Sequence, residues 1–183
     1  MGALRIPASD LAAWAEDMGA THFLTLTAGC YPERAFDPDV SFRPDLARLA
    51  RRIGRELCGL PRRKDPKPDD LPAFAAFYEP TTGSGTPYPH IHGWISLTGN
   101  EEEHLRAILR TYWGQDSTPE ITSPFLRHYP SRRRAPKAVC RNPTWEPTFD
   151  LEAIRSSGAA IYSGKGYTRT GMIYDWGTIL NST

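Results

Sequence analysis

The sequence has little cysteine, almost no net charge and no long apolar run. Cysteine occurs only as Cys30, Cys58 and Cys140. An odd number at wide spacing, with no C-x-x-C pair, gives neither a disulfide framework nor a zinc knuckle. It suits a reducing, cytoplasmic setting. Lysine and arginine total 22 against 21 acids, so overall charge selects no partner. No apolar stretch approaches the ~20 residues that span a bilayer. The opening MGALRIPASD lacks the apolar segment of a secretory leader, and Ile6 stands where a myristoylation signal needs Ser or Thr. There is no internal repeat and no low-complexity tract. What remains is a chain of 183 residues with ordinary apolar content, enough for the core of one domain over 1–183.

Several elements are legible. Ser9 is placed to cap a helix over 10–18 that Gly19 closes. THFLTLTA, 21–28, alternates and is β-branched, which predicts a strand. Pro44 is placed to open a second helix, with Leu46, Leu49, Ile53 and Leu57 on one face and Gly59 and Pro61 at its end. AFAAFYE, 73–79, and HIHGWISL, 90–97, read as two strands of a hairpin joined by the turn-rich TTGSGTPYP. Asn100 precedes a helix with Glu101, Glu102 and Glu103 in its first turn, an apolar face of Leu105, Ile108 and Leu109, and Gly114 as its stop. FLRHY or KAVCR, within 115–147, supplies a further strand. Asp150 then reads as the cap of a last helix with Leu151, Ile154 and Ile161 along one stripe. The sum is an α+β fold: a central antiparallel sheet with helices packed on one face.

The hairpin carries the chemistry. Strand side chains alternate, so His90, His92, Trp94 and Ser96 share one face and Ile91, Ile95 and Leu97 the other. The isoleucine face suits the core. Two imidazoles at i and i+2 on the open face can converge on one metal ion. Glu79 ends the preceding strand, and in a hairpin that end faces the start of the next strand. Glu79, His90 and His92 then form a two-nitrogen, one-oxygen donor set for a divalent ion that acts on a substrate. The plainer alternative is one structural histidine, one loop histidine and a solvated acid.

Histidine–hydrophobic–histidine after an acid-bearing strand resembles the second motif of the HUH endonucleases, the nickases of rolling-circle replication, plasmid transfer and some transposition. Phe23-Leu24-Thr25-Leu26-Thr27 resembles the first motif, a strand in the centre of the sheet. Tyr162-Ser163-Gly164-Lys165 resembles the third, in which a catalytic tyrosine precedes a lysine by three residues. The order is that of the replication initiators, and Tyr167, five residues after Tyr162, does not make a two-tyrosine pair. The resemblance implies the ferredoxin-like nickase fold of that family and a single-tyrosine enzyme. Tyr162 is its nucleophile and Lys165 its auxiliary group. Mg²⁺ or Mn²⁺ is held by His90, His92 and Glu79. The implied partner is single-stranded DNA at a replication origin, in a hairpin, with host helicase and polymerase and no membrane.

Other signals fit around this. SGKG fails as a phosphate-binding loop, because its glycine spacing is wrong and Gly166 stands where Ser or Thr is needed. No helicase domain is expected within 1–183, so unwinding is expected of another protein. From Ile121 to Trp145 there is no acid, while Arg127, Arg132, Arg133, Arg134, Lys137 and Arg141 are interleaved with Tyr129 and Trp145. Charge that tracks a backbone and rings that stack on bases suit single-stranded DNA, and the basic residues of 62–67 are a second candidate. The expected activity is sequence-specific nicking that starts rolling-circle replication. The alternatives are a transposase or mobilisation nickase of the same superfamily, a DNA-binding derivative that no longer cuts, or a structural domain with a chance H-x-H.

Overall fold

The structure of the chain, a computed structural model, describes residues 7–27, 38–81, 87–117, 148–155 and 173–181. In chain order these form α1 (Ala8–Asp17), β1 (His22–Thr27), α2 (Pro38–Glu56), a 3₁₀ turn (Pro68–Asp70), β2 (Phe74–Thr81), β3 (Pro87–Ile95), α3 (Glu101–Tyr112), β4 (Gln115–Asp116), β5 (Thr148–Ala153), β6 (Ile173–Asp175) and α4 (Trp176–Leu180). The strands make one mixed sheet in the order β4-β5-β1-β3-β2-β6. Every neighbouring pair is antiparallel except β4 with β5. The α+β expectation holds, and β1 lies in the middle of the sheet. Among the described residues no helix is long and apolar enough to cross a membrane.

The main core lies between one sheet face and α2, α3 and α4. From the sheet come Leu24, Leu26, Ile91, Ile95, Phe149, Leu151 and Tyr174, and from α2 come Phe42, Leu46, Leu49 and Ile53. Leu46, Leu49 and Ile53 recur at helical spacing and are at most 3% exposed. Each such side chain stabilises the fold by roughly 1.5–3 kcal/mol on burial. Trp113, just past α3, stacks on Phe42 and donates its indole N–H to the carbonyl of Thr27 at 3.1 Å. This fixes the end of β1 that lies beside His90.

Four details depart from the sequence reading. Helix α2 begins at Pro38, with Pro44 inside it. The lost backbone bond is outweighed by the buried stripe of Phe42, Leu46 and Leu49. Pro7, not Ser9, precedes α1, and Ser9 donates instead to Asp10. Asn100 makes no side-chain cap on α3; Glu101 accepts from the N–H and hydroxyl of Thr98 at 2.5 and 2.8 Å. The largest departure is at Asp150, which caps no helix. Residues 148–153 are β5, paired with β1. Phe149 and Leu151 point into the core between Thr148, Asp150 and Glu152, a period of two that the sheet selects over a period near four. Ile161 and the segments FLRHY and KAVCR lie outside the described residues.

Helix α1 adds something the sequence did not indicate. It packs on the opposite sheet face from the other helices, burying Leu11 and Ala15 against Ala75, Phe77 and Trp94. The histidine face therefore also carries a helix.

Candidate metal centre

Strands β2 and β3 pair with Glu79 opposite His90 and Phe77 opposite His92. On the other side of β3, β1 sets Thr27 opposite His90 and Thr25 opposite His92. Side chains opposite one another share a face, so Glu79, His90 and His92 meet where the hairpin reading placed them. Gly93 makes this pairing possible. A Cβ at that position would lie 1.9 Å from the carbonyl oxygen of Ala75 and 2.4 Å from Cα of Ala76. No other residue allows β2 to approach β3 so closely beside His92.

The three groups are nearly enclosed: Glu79 is 9%, His90 7% and His92 6% exposed. Glu79 Oε2 lies 3.0 Å from Nε2 of His92 and 3.4 Å from Nε2 of His90. The two imidazole rings are 4.6 Å apart and nearly perpendicular. One donor atom from each residue falls within 4.8 Å of the others. Two ligands about 2.1 Å from an ion and at right angles to it are about 3 Å apart, so this spacing suits a single divalent cation. A two-nitrogen, one-oxygen set also leaves coordination positions for water or substrate.

The electrostatics agree. Burial pushes the Glu79 carboxyl up, but hydrogen bonds from His90 and His92, together with their positive charge, outweigh it. The net result holds this carboxyl well below the usual carboxylate range. Glu79 is thus ionised at neutral pH, as a metal ligand must be.

No protein-family model, curated protein or solved structure matches this chain. The centre rests on its own geometry.

The remaining expected site residues fare differently. Tyr162, Lys165, Tyr167, Arg127, Tyr129, Arg132, Arg133, Arg134, Lys137, Arg141 and Trp145 lie outside the described residues. The basic loop of 62–67 is not brought to the centre. It leads into the Phe74 end of β2, and Glu79 is five residues along, about 16 Å at strand rise. Arg62 and Arg63 there are exposed, and Lys64 pairs with Asp70 at 3.1 Å. His22 is elsewhere too: it sits opposite Ile95 and contacts Glu102 at 3.1 Å.

The sequence reading missed the surroundings of the triad. Thr148 and Asp150 on β5 stand opposite or next to the register of Thr27 and Thr25, and so share the histidine face. The alternation of TFDLEA carried that information. Phe23 is also on this face, its ring 5.9 Å from that of His92.

Proposed function

We propose that the protein is a metal-dependent, sequence-specific endonuclease that nicks single-stranded DNA and initiates rolling-circle replication. The convergence of Glu79, His90 and His92 carries this reading. Two further points support it: the two histidines lie on the central strand β3, and the FLTLT strand β1 runs directly beside it. In this reading His90, His92 and Glu79 hold Mg²⁺ or Mn²⁺. When bound, the ion supplies positive charge to a non-bridging oxygen of the scissile phosphate. Without the ion, Glu79 accepts from the rings and keeps their Nε2 atoms directed to one point; a bound ion would take the place of those protons between the rings and the carboxylate.

Tyr162 is the nucleophile. Its phenolic oxygen bonds to phosphorus as the bond to the 3′ oxygen breaks. The phenol gives up its proton and the leaving oxygen gains one, becoming a free 3′ hydroxyl. The product is a 5′-phosphotyrosyl link. One phosphodiester replaces another, so the step runs backward to rejoin strands. A phenol with a pKa near ~10 is a weak nucleophile at neutral pH, and Lys165 assists it as a nearby cation. Arg132, Arg133, Arg134, Lys137 and Arg141 hold the strand through its phosphates.

A labelled single-stranded origin oligonucleotide incubated with the protein and Mn²⁺ tests this. A covalent adduct is expected with the parent chain and none with Tyr162→Phe. DNA binding without an adduct at any metal concentration would favour a non-cutting derivative. An adduct that persists in Tyr162→Phe but disappears in Tyr167→Phe would move the nucleophile.

A further inference from the structure

The side of α2 turned away from the core carries a row of one residue type. Arg48, Arg51, Arg52 and Arg55 follow at i, i+3, i+4 and i+7, so they form one stripe along the helix, about 10 Å long at helical rise. Leu46, Leu49 and Ile53 fill the opposite side. The side chain of Arg48 is 73% and that of Arg52 42% exposed. Arg52 lies 4.3 Å from the centre of the Tyr112 ring, an exposed aromatic of α3 that supports the guanidinium plane. The loop after the helix extends the stripe. A Cβ at Gly54 would lie 2.9 Å from Leu60 and 3.2 Å from Pro66, so the loop is seated on α2, and Arg51 donates to Asp65 at 3.2 Å. Arg62 and Arg63 of this loop are exposed and make no ion pair among the described residues. Three acids answer these six arginines: Asp45 pairs with Arg48, Asp65 with Arg51 and Glu56 with Arg52. Lys64 pairs with Asp70, and Lys67 offsets Asp69, so the surplus is positive. Exposed pairs of this kind are weak and open readily to a better anion.

We propose that the arginine stripe of α2, with Arg62 and Arg63, is a docking surface for the phosphate backbone of duplex DNA. Every cation of the stripe is arginine, whose planar fork meets a phosphate through two parallel hydrogen bonds. A stripe of about 10 Å faces about three successive phosphates of one strand, which recur every ~3.4 Å along the duplex axis. An acidic protein surface offers no charge at so regular an interval. The stripe belongs to the helix layer that packs on Ile91 and Ile95, whereas His90 and His92 stand on the other sheet face. A phosphate on the stripe is therefore not the phosphate that is cut, and the ligand must extend past the sheet. A base-paired arm of the same DNA meets that requirement. The proposal rests on the reading of the protein as a nickase: one sheet face cuts the single strand, and the helix layer holds the duplex beside it.

The test uses the full chain carrying Tyr162→Phe, so that the DNA stays whole. Fluorescence anisotropy follows binding of a short labelled duplex of arbitrary sequence, and of a single strand of the same length, across a range of salt. Arg48→Gln with Arg51→Gln is expected to weaken duplex binding about three- to thirtyfold and to lower the slope of log affinity against log salt by about 2. Single-strand affinity is expected to change about twofold or less, and Mn²⁺ affinity, read by calorimetry, to stay as in the parent. A folded variant that binds duplex as the parent does, or that loses duplex and single strand equally, would overturn the docking surface. Should the variant fail to fold, phenylglyoxal modification of the parent, mapped by mass spectrometry, decides. Duplex is expected to shield Arg48, Arg62 and Arg63, and equal modification with and without it overturns the proposal. Polyglutamate that displaces the duplex at equal charge would overturn it in favour of an acidic protein partner. Failure of the chain with Tyr162 intact to form an adduct with single-stranded DNA in Mn²⁺ would overturn the nickase reading, an outcome separate from loss of duplex binding.

Discussion

Glu79 is the residue on which the metal centre depends, because its carboxylate contacts both histidines. Replacing it with Gln removes the negative charge while keeping the shape. We expect Mn²⁺ affinity to fall at least about tenfold in Glu79→Gln, and further in His90→Ala with His92→Ala, as read by calorimetry. The low carboxyl pKa of Glu79 has a second consequence in metal-free protein. A folded-state pKa below the unfolded value stabilises the fold above the unfolded pKa, and the gain is lost as pH falls toward the folded one. The unfolded value is about 4.3, so the stability difference between parent and Glu79→Gln is expected to shrink progressively below about pH 5. Urea midpoints measured in chelator across acid and neutral pH check this. A difference that grew on acidification would contradict the assignment of the two imidazoles as partners. The hairpin made this much of the site legible. Alternation set the face of both histidines, and antiparallel pairing set which acid would oppose them.

At the scale of elements, the close approach of β2 to β3 is the feature most open to test. Gly93→Ala places a methyl group where the backbone of Ala75 and Ala76 already is. The strands must separate, and we expect about 1–3 kcal/mol of lost stability or more, with weakened Mn²⁺ binding, because Glu79 and the histidines are on opposite sides of that seam. Denaturant unfolding and calorimetry on the same variant check both effects. A stable Gly93→Ala protein with intact metal affinity would show that the seam relaxes without moving the triad. Strand β5 shows where reading by element fails. Asp150 followed by Leu151 and Ile154 satisfies a helix template, and Phe149 with Leu151 satisfies a strand template. The vacant edge of β1 decides between them, and that edge is a tertiary fact. Helix α1 shows the same limit differently. Its apolar stripe, with Leu11 and Ala15, dictates that one side be buried but not which side of the sheet receives it.

At the scale of the molecule, a ligand that binds only the folded chain must stabilise it. Mn²⁺ at a hundred times its dissociation constant is expected to add about 2.7 kcal/mol. For a chain of this size that is a rise of about 5–10 °C in Tm, reversed by chelator. The rise should vanish in His90→Ala with His92→Ala; a rise that survives there would place the ion elsewhere. The order of the strands has one more consequence. Among the described residues, the outermost strands β4 and β6 are two and three residues long. They present few unpaired backbone groups along the sheet's flanks, so a neighbouring copy finds little template on which to add a strand. Among the described residues β3 lies wholly inside the sheet, and β6 covers the outer edge of β2 from Ala75 to Phe77.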